Sequence, residues 1–295
     1  MDRTYVRRGM LALAALALLP WGAAHADVQS SDQQKCINKM NKDGIKVQAA
    51  QGKENAECVK KKANNELPGP AQAETCLTAD ARGKVLKRTN KTSADETTFC
   101  TLDVPDFGYV SAGTVNAVAK QAELDLIHDV FGPAPIDDGL FQSDPNVPEA
   151  VCQRTAVVRI EKLMQSMGRE FAKCKKNALK INKEPFPDGA MAAVDLHDCV
   201  DEPTALNSVA ADTKGKLAKR KQNLLDTIVN QCDLTSVSTT SFPGACVGLS
   251  AATLQTCLID LVECRFCEMV NGMDGLAVDC NAFKNLEASH LVSCP

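Results

Sequence analysis

Large aromatic side chains are nearly missing from this sequence: one Trp, two Tyr and nine Phe in 295 residues, or 4%. Trp21 and Tyr5 both precede Asp27, so the chain from Asp27 onward has no Trp and a single Tyr, Tyr109. This scarcity argues against an aromatic sugar platform and against base stacking on single-stranded nucleic acid. It also thins out the residues that dominate tight protein interfaces. From Asp27 onward no segment approaches the roughly 18 consecutive apolar residues of a membrane span. No G-x-S-x-G, H-E-x-x-H or P-loop pattern occurs. The histidines beyond that point, His128, His197 and His290, stand in separate segments. His197, in Asp195-Leu196-His197-Asp198-Cys199, reads as a loop histidine beside a bridge. Asp137, Asp138 and Asp144 lack the spacing and closing Glu of an EF-hand. No catalytic, cofactor-binding or metal-binding residue is therefore assigned, no cofactor is expected, and the chain does not read as an enzyme.

Cysteine, in contrast, is abundant, with 14 residues. Positions 1–26 read as an export signal. Arg3, Arg7 and Arg8 precede the apolar run Met10–Leu19, and Ala24-His25-Ala26 offers small residues for cleavage before Asp27. The expected location is periplasmic or extracellular. The signal takes three Arg and one Asp from totals of 33 basic and 37 acidic residues, so the processed chain has a net charge of −6 and keeps all 14 cysteines. An even cysteine number in an exported chain reads as seven disulfides.

The cysteine spacing points to a duplication. Cys36 and Cys58 are 22 apart, as are Cys152 and Cys174. Gly83 precedes Cys100 by 17 positions, and Gly215 precedes Cys232 by 17, within similar stretches, Asp80-Ala81-Arg82-Gly83-Lys84 and Asp212-Thr213-Lys214-Gly215-Lys216. Each copy reads as an α-hairpin. In the second, Val157, Ile160, Met164, Met167, Phe171, Cys174, Ala178 and Ile181 recur by threes and fours, an apolar helical seam that ends before Pro185 and Pro187. A return helix carries Leu217, Leu224, Ile228 and Cys232. A shift of 116 places Asn41, Gly44, Gln48, Gln51 and Asn55 opposite the seam's Val157 to Phe171. The first hairpin is therefore expected to have a thin core and to lean on its bridges.

Cysteines 22 apart on one helix lie within about 40° of the same face but roughly 33 Å apart, so each must pair with the returning chain. Antiparallel geometry joins the inner pair near the turn and the outer pair at the open end. The expected bonds are Cys58–Cys76 and Cys36–Cys100 in the first hairpin, and Cys174–Cys199 and Cys152–Cys232 in the second. The last six cysteines, Cys246, Cys257, Cys264, Cys267, Cys280 and Cys294, allow 15 pairings, which spacing leaves open.

Each hairpin is followed by an acidic tail. Positions 27–100 carry +3 and 101–150 carry −8; positions 151–232 carry +4 and 233–295 carry −5. A shift of 139 sets Val118, Asp125 and His128 opposite Cys257, Cys264 and Cys267, so the first tail reads as a cysteine-free version of the second. The expected fold class is all-α: two disulfide-stapled antiparallel helical hairpin modules, each with a further helical tail. Residues 27–131 would form the first module, the Pro- and Asp-rich 132–150 a linker, 151–232 the second hairpin and 233–295 its cysteine-rich tail.

The order Cys152, Lys173-Cys174, Cys199, Cys232, then Phe242-Pro243-Gly244-Ala245-Cys246, Cys257 and Cys264-Arg265-Phe266-Cys267 resembles cysteine-rich helical repeat modules of large exported proteins from environmental bacteria. The first unit matches only in part, and Cys280 and Cys294 are additional. No activity is established for such modules, so the resemblance implies a fold and export, and no reaction.

One local motif could carry chemistry. Cys264-x-x-Cys267 suits a thiol–disulfide redox pair only beside a helix N-terminus that lowers a thiol pKa. Here Leu258-Ile259-Asp260-Leu261-Val262-Glu263 reads as helix interior, with acids that disfavour a thiolate. Haem attachment fails because Glu268 stands where His is needed. A zinc site lacks its second CxxC. Three structural bridges are the expected use of these six cysteines, with redox chemistry at Cys264 and Cys267 as the alternative, and a small-ligand or metal-binding envelope protein behind it. Lys60-Lys61-Lys62 and the stretch Lys216 to Lys221 read as solvated helix faces in an acidic protein, so no nucleic-acid partner is expected. The sequence suggests an exported noncatalytic structural or interaction protein, its partner an unidentified protein or envelope component, with no membrane span in the processed chain.

Overall fold

The computed structural model describes residues 28–69, 72–143, 148–233, 235–284 and 293–294. The expected export signal and His290 lie outside them. The fold is all-α. Ten α-helices occur among the described residues: α1 (Ser31–Ala63), α2 (Ala73–Ala79), α3 (Lys84–Phe99), α4 (Ala112–Phe131), α5 (Pro148–Ala178), α6 (Asp198–Asp201), α7 (Lys216–Cys232), α8 (Thr235–Thr240), α9 (Ala251–Asp274) and α10 (Cys280–Lys284). There is no sheet among them, only an isolated bridge between Lys183 and Phe186.

Local chemistry sets the helix ends. Ser30 and Gln33 close a reciprocal capping box at the start of α1, with the Ser30 amide donating to Gln33 Oε1 at 2.8 Å. Lys60, Lys61 and Lys62 sit at the negative end of the α1 dipole. Pro148 opens α5, where its missing N–H costs nothing, so the helix starts inside the Pro-rich stretch 132–150. The part of that stretch before position 144 is packed against the helices. Ile136 and Leu140 are buried, and Asp137 accepts from the Ala73 and Glu74 amides at 2.8 and 3.3 Å. It thereby caps α2, which has no side-chain cap of its own. Lys62 is buried at 3.4 Å from the Asp137 carboxylate, so it is not the solvated lysine that its run suggests.

The same turn launches α3 and α7. Gly83 and Gly215 both have a φ of +61°, a left-handed conformation that suits glycine. Just upstream, the Asp80 carboxylate accepts from the amides of Val85 and Leu86, and that of Asp212 from Lys216 and Ala218, at 2.8 to 3.1 Å.

The two long helices, α1 and α5, pack against each other in antiparallel fashion: Gly52 faces Glu161, while one heptad earlier on α1 Ile45 faces Gly168, one heptad later on α5. Helix α3 is tied to α1 by Cys36–Cys100, and α7 to α5 by Cys152–Cys232. Cys58–Cys76 and Cys174–Cys199 anchor α2 and α6 to the far ends of the same long helices. Helices α4 and α9 pack together across the pair, Gly272 of α9 lying against Val118 and Arg265 clasping Asp129 at 2.6 and 2.8 Å. One continuous apolar core results. Phe171 meets Phe266 edge-on at 6.3 Å, and Phe131 stacks on Phe242 at 5.9 Å, both within the range favoured by aromatic pairs.

The face of α1 that was expected to be thin is buried. Asn41, Gln48, Gln51 and Asn55 are each at most 2% exposed. It faces α4, α5 and α9, and it is filled by hydrogen bonds in place of apolar packing. Gly44 lets α1 approach closely enough that a methyl there would press on Val115 and Met273.

Candidate functional site

The α1–α5 pair leaves a groove along one side, with a cavity of about 490 Å³ towards the C-terminal half of α1 and another of about 780 Å³ towards its N-terminal half. The larger one is basic. On α1 it is lined by Lys35, Lys39, Lys42 and Lys46; the steps of four, three and four keep them on one stripe. On α5 the first steps repeat in Arg169, Lys173 and Lys176, and Lys180 in the turn just past the helix end extends the same rim. Among the described residues no carboxylate lines this cavity. Its apolar surface comes from Ile45, Ala172 and Phe99, with Lys39 held 5.7 Å above the Phe99 ring. Acids beside it hold some of the cations: Asp43 lies 2.6 Å from Lys46, Asp95 2.5 Å from Lys39, and Glu170 3.3 Å from Lys173. Lys42, Arg169, Lys176 and Lys180 have no ion pair among the described residues.

The smaller cavity has mixed charge and reaches a buried acid pair. Glu161 of α5 lines it, and its carboxylate lies with that of Glu123 of α4 at the Gly52 position of α1. Gln48 donates to Glu123 Oε1, and Asn55 Nδ2 donates to the Glu123 carbonyl at 3.0 Å. Gly52 makes the space: a side chain there would overlap the Glu161 carboxylate. Burial pushes Glu123 well above the usual carboxylate range, and the neighbouring Glu161 adds to the rise. Burial pushes Glu161 up to about 7, with hydrogen bonds to Glu123 and Asn55 working against it. Two carboxyls this close in a low-dielectric interior do not both ionise, so the pair keeps a proton at neutral pH. Further along the same face of α1, Lys175 lies 2.7 Å from Asp274, which also bonds Asn41, and Lys175 donates to the Gly108 carbonyl at 2.9 Å. Burial lowers the Lys175 pKa and raises that of Asp274, each opposed by the other's charge.

The remaining cysteines pair as Cys246–Cys257, Cys264–Cys294 and Cys267–Cys280, and no cysteine is free. Cys264 and Cys267 thus sit one turn apart inside α9, bonded to different partners and not to each other. A helix interior holds the two sulfurs apart for separate crosslinks and offers neither the amide-rich N-terminus nor the facing thiol of a redox pair. His128 lies 3.2 Å from Glu74, and His197 accepts from the Ala277 amide at 3.3 Å, so the two histidines serve different contacts. Among the described residues no cluster of His, Cys, Asp or Glu has the makings of a metal site, and no helix is long and apolar enough to cross a membrane. No family model, curated protein or solved structure matches the chain.

The sequence reading missed the basic groove and the acid pair. The lysines of α1 look like any solvated face until the second stripe is set opposite them. The signals available were the four-three-four spacing of cations on α1, its repeat from Arg169 on α5 to Lys180 just past that helix, and the run of amides on α1, too regular for a loop and too polar for a core.

Proposed function

We propose that the chain is an exported, noncatalytic interaction protein: a rigid helical scaffold, fixed by oxidised cysteines, that works by presenting a surface. The observation that carries this reading is that all fourteen cysteines are used as crosslinks, the CxxC pair included. A redox protein keeps a reducible pair in reach of its substrate; here both sulfurs are buried in α9. Seven crosslinks added to a continuous apolar core suit a protein that must keep its shape where no chaperone or reductant restores it.

In this reading the scaffold consists of two related modules, 27–131 and 151–295, joined through 132–150, with 151–232 the second hairpin and 233–295 its tail. Two features support it. The Asp–Gly turns at Asp80–Gly83 and Asp212–Gly215 are alike in backbone and in hydrogen bonding. At the crossing of the long helices, Gly52 opposite Glu161 corresponds, through the shift of 116, to Gly168 opposite Ile45. Export is supported by the basic, apolar and small-residue pattern of positions 1–26.

The test is to express the full-length chain in an exporting host, recover it from outside the cytoplasm, sequence its N-terminus, titrate thiols in denaturant and assay insulin reduction. The reading expects a mature N-terminus at Asp27, no titratable thiol and no reductase activity. Two titratable thiols with insulin reduction would replace it with the redox alternative.

A further inference from the structure

The basic half of the groove is costly for the protein to maintain. Lys35, Lys39, Lys42 and Lys46 face Arg169, Lys173, Lys176 and Lys180, in a chain whose net charge is negative. Eight cations on two facing stripes repel one another, and the neighbouring acids engage only some of them. The concentration is local, so it is not a by-product of a basic composition. A concave site lined by one sign of charge focuses the field and attracts the opposite sign. The disulfides Cys36–Cys100 and Cys174–Cys199 brace its two walls, so the groove is preformed.

Its shape narrows the choice of ligand. From Lys35 to Lys46 the stripe runs about 16 Å, some three helical turns. The groove lies between two antiparallel helices, the position a third helix takes in a bundle. It is not purely polar: Ile45 at the base and Ala172 and Phe99 on the walls offer a strip of apolar surface between the charged rims. A polysaccharide or a nucleic-acid backbone would use the cations and leave this strip without a partner. A lipid surface is flat and cannot follow a groove. A helix with a narrow apolar edge flanked by carboxylates matches both the strip and the rims.

Building on the exported-scaffold reading, we infer that this half of the groove docks an acidic amphipathic helix of a partner protein, about three turns long. Its apolar edge rests on Ile45, Ala172 and Phe99, and its carboxylates engage Lys42 on one rim and Arg169, Lys176 and Lys180 on the other. The mixed-charge half, where Glu57 and Glu161 line the cavity, lacks this complementarity and stays outside the docking site.

The test uses fully oxidised protein, its thiol count checked on the same sample, and a fluorescein-labelled 18-residue peptide of Leu, Ala and Glu with Leu on one helical face. Controls are a permuted peptide of identical composition with no apolar face, and a sulfated polysaccharide of similar charge. Fluorescence anisotropy is expected to show the amphipathic peptide binding at least tenfold more tightly than the permuted one, and weakening as salt is raised. The double variant R169E/K176E should lose at least tenfold in affinity with unchanged circular dichroism. The double variant K84E/K87E makes the same charge change on the exposed side of α3 and should lose less than twofold. Equal binding of the permuted peptide, tighter binding of the polysaccharide, equal losses in both double variants, or no peptide binding by fully oxidised protein would each overturn the inference. The thiol count separates those outcomes from a failure of the scaffold reading itself.

Discussion

The two long helices have similar length and a shared pattern of cysteines, yet they pack by different physics. Towards the core, α5 presents Val157, Ile160, Met164, Met167 and Phe171, all at most 1% exposed. The matching positions of α1 are Asn41, Gly44, Gln48, Gln51 and Asn55, equally buried but joined by hydrogen bonds to Glu123, Asp274 and the Leu77 carbonyl. The contrast teaches that burial alone does not say what holds a helix in place. The α5 seam gains from removing apolar surface from water and is insensitive to pH. The α1 seam gains little net energy per bond, and loses much when one partner is removed, because the other remains buried and unsatisfied.

The sharpest challenge to this comparison is Phe171→Ala, which empties the apolar seam at its contact with Phe266 and should cost about 3–5 kcal/mol in denaturant unfolding. A loss under about 1 kcal/mol, far below the range for a truncated core Phe, would show that the seam is not where α5 is held. Next come the outer bridges. Cys36–Cys100 and Cys152–Cys232 span sequence separations of 64 and 80. Their entropic contributions, roughly 4 kcal/mol each, therefore differ by only about 0.2 kcal/mol. Any larger difference between C36S/C100S and C152S/C232S reports on the packing around them. Hydrogen exchange should show α1 and α3 losing protection in the first variant, well beyond the loss in α5 and α7 in the second. Equal losses would erase the distinction between the seams.

Gln48→Ala should cost about 1–3 kcal/mol by leaving the Glu123 carboxyl short of its donor. The acid pair should also make stability depend on pH in a predictable direction. Glu123 and Glu161 have folded pKa values raised above their unfolded ones, so the stability linked to their protons is fully present below about pH 4.5. It is lost as pH rises through about 7, because the unfolded chain has already released those protons. Thermal unfolding of the wild type should thus weaken between about pH 5 and 8, and Glu161→Gln should flatten that slope. An unchanged slope would place the dependence elsewhere, the Lys175–Asp274 pair being the next place to look. At the small end stands Leu102→Ala, at a side chain 96% exposed. It should stay within about 0.5 kcal/mol of wild type in the same unfolding measurement.

Helical class was legible because its signals are local. The three-and-four spacing from Val157 to Phe171 and the glycines before the return helices lie within single segments. Antiparallel geometry orders cysteines from the turn outward, and the bonds of α1 with α2 and α3, and of α5 with α6 and α7, follow that order. The three bonds around α9 do not obey so simple a rule, because α10 and Cys294 return by irregular routes that spacing does not encode. The polar seam of α1 was illegible for a different reason. A buried amide and a solvated amide look alike until the partner is known, and Glu123 and Asp274 are 68 to 233 positions from the α1 amides that bond them. The basic groove shares that difficulty: half of it is ordinary helix surface, and only the antiparallel crossing at Gly52 and Gly168 makes it a cleft.

The claim that the cysteines serve as structural crosslinks and do no redox work is tested most directly by a nonreducing peptide map of the native protein across α9. The expected fragments join Cys264 to Cys294 and Cys267 to Cys280, with no peptide carrying a free thiol. A Cys264–Cys267 bond, or an alkylated thiol at either position, would contradict it.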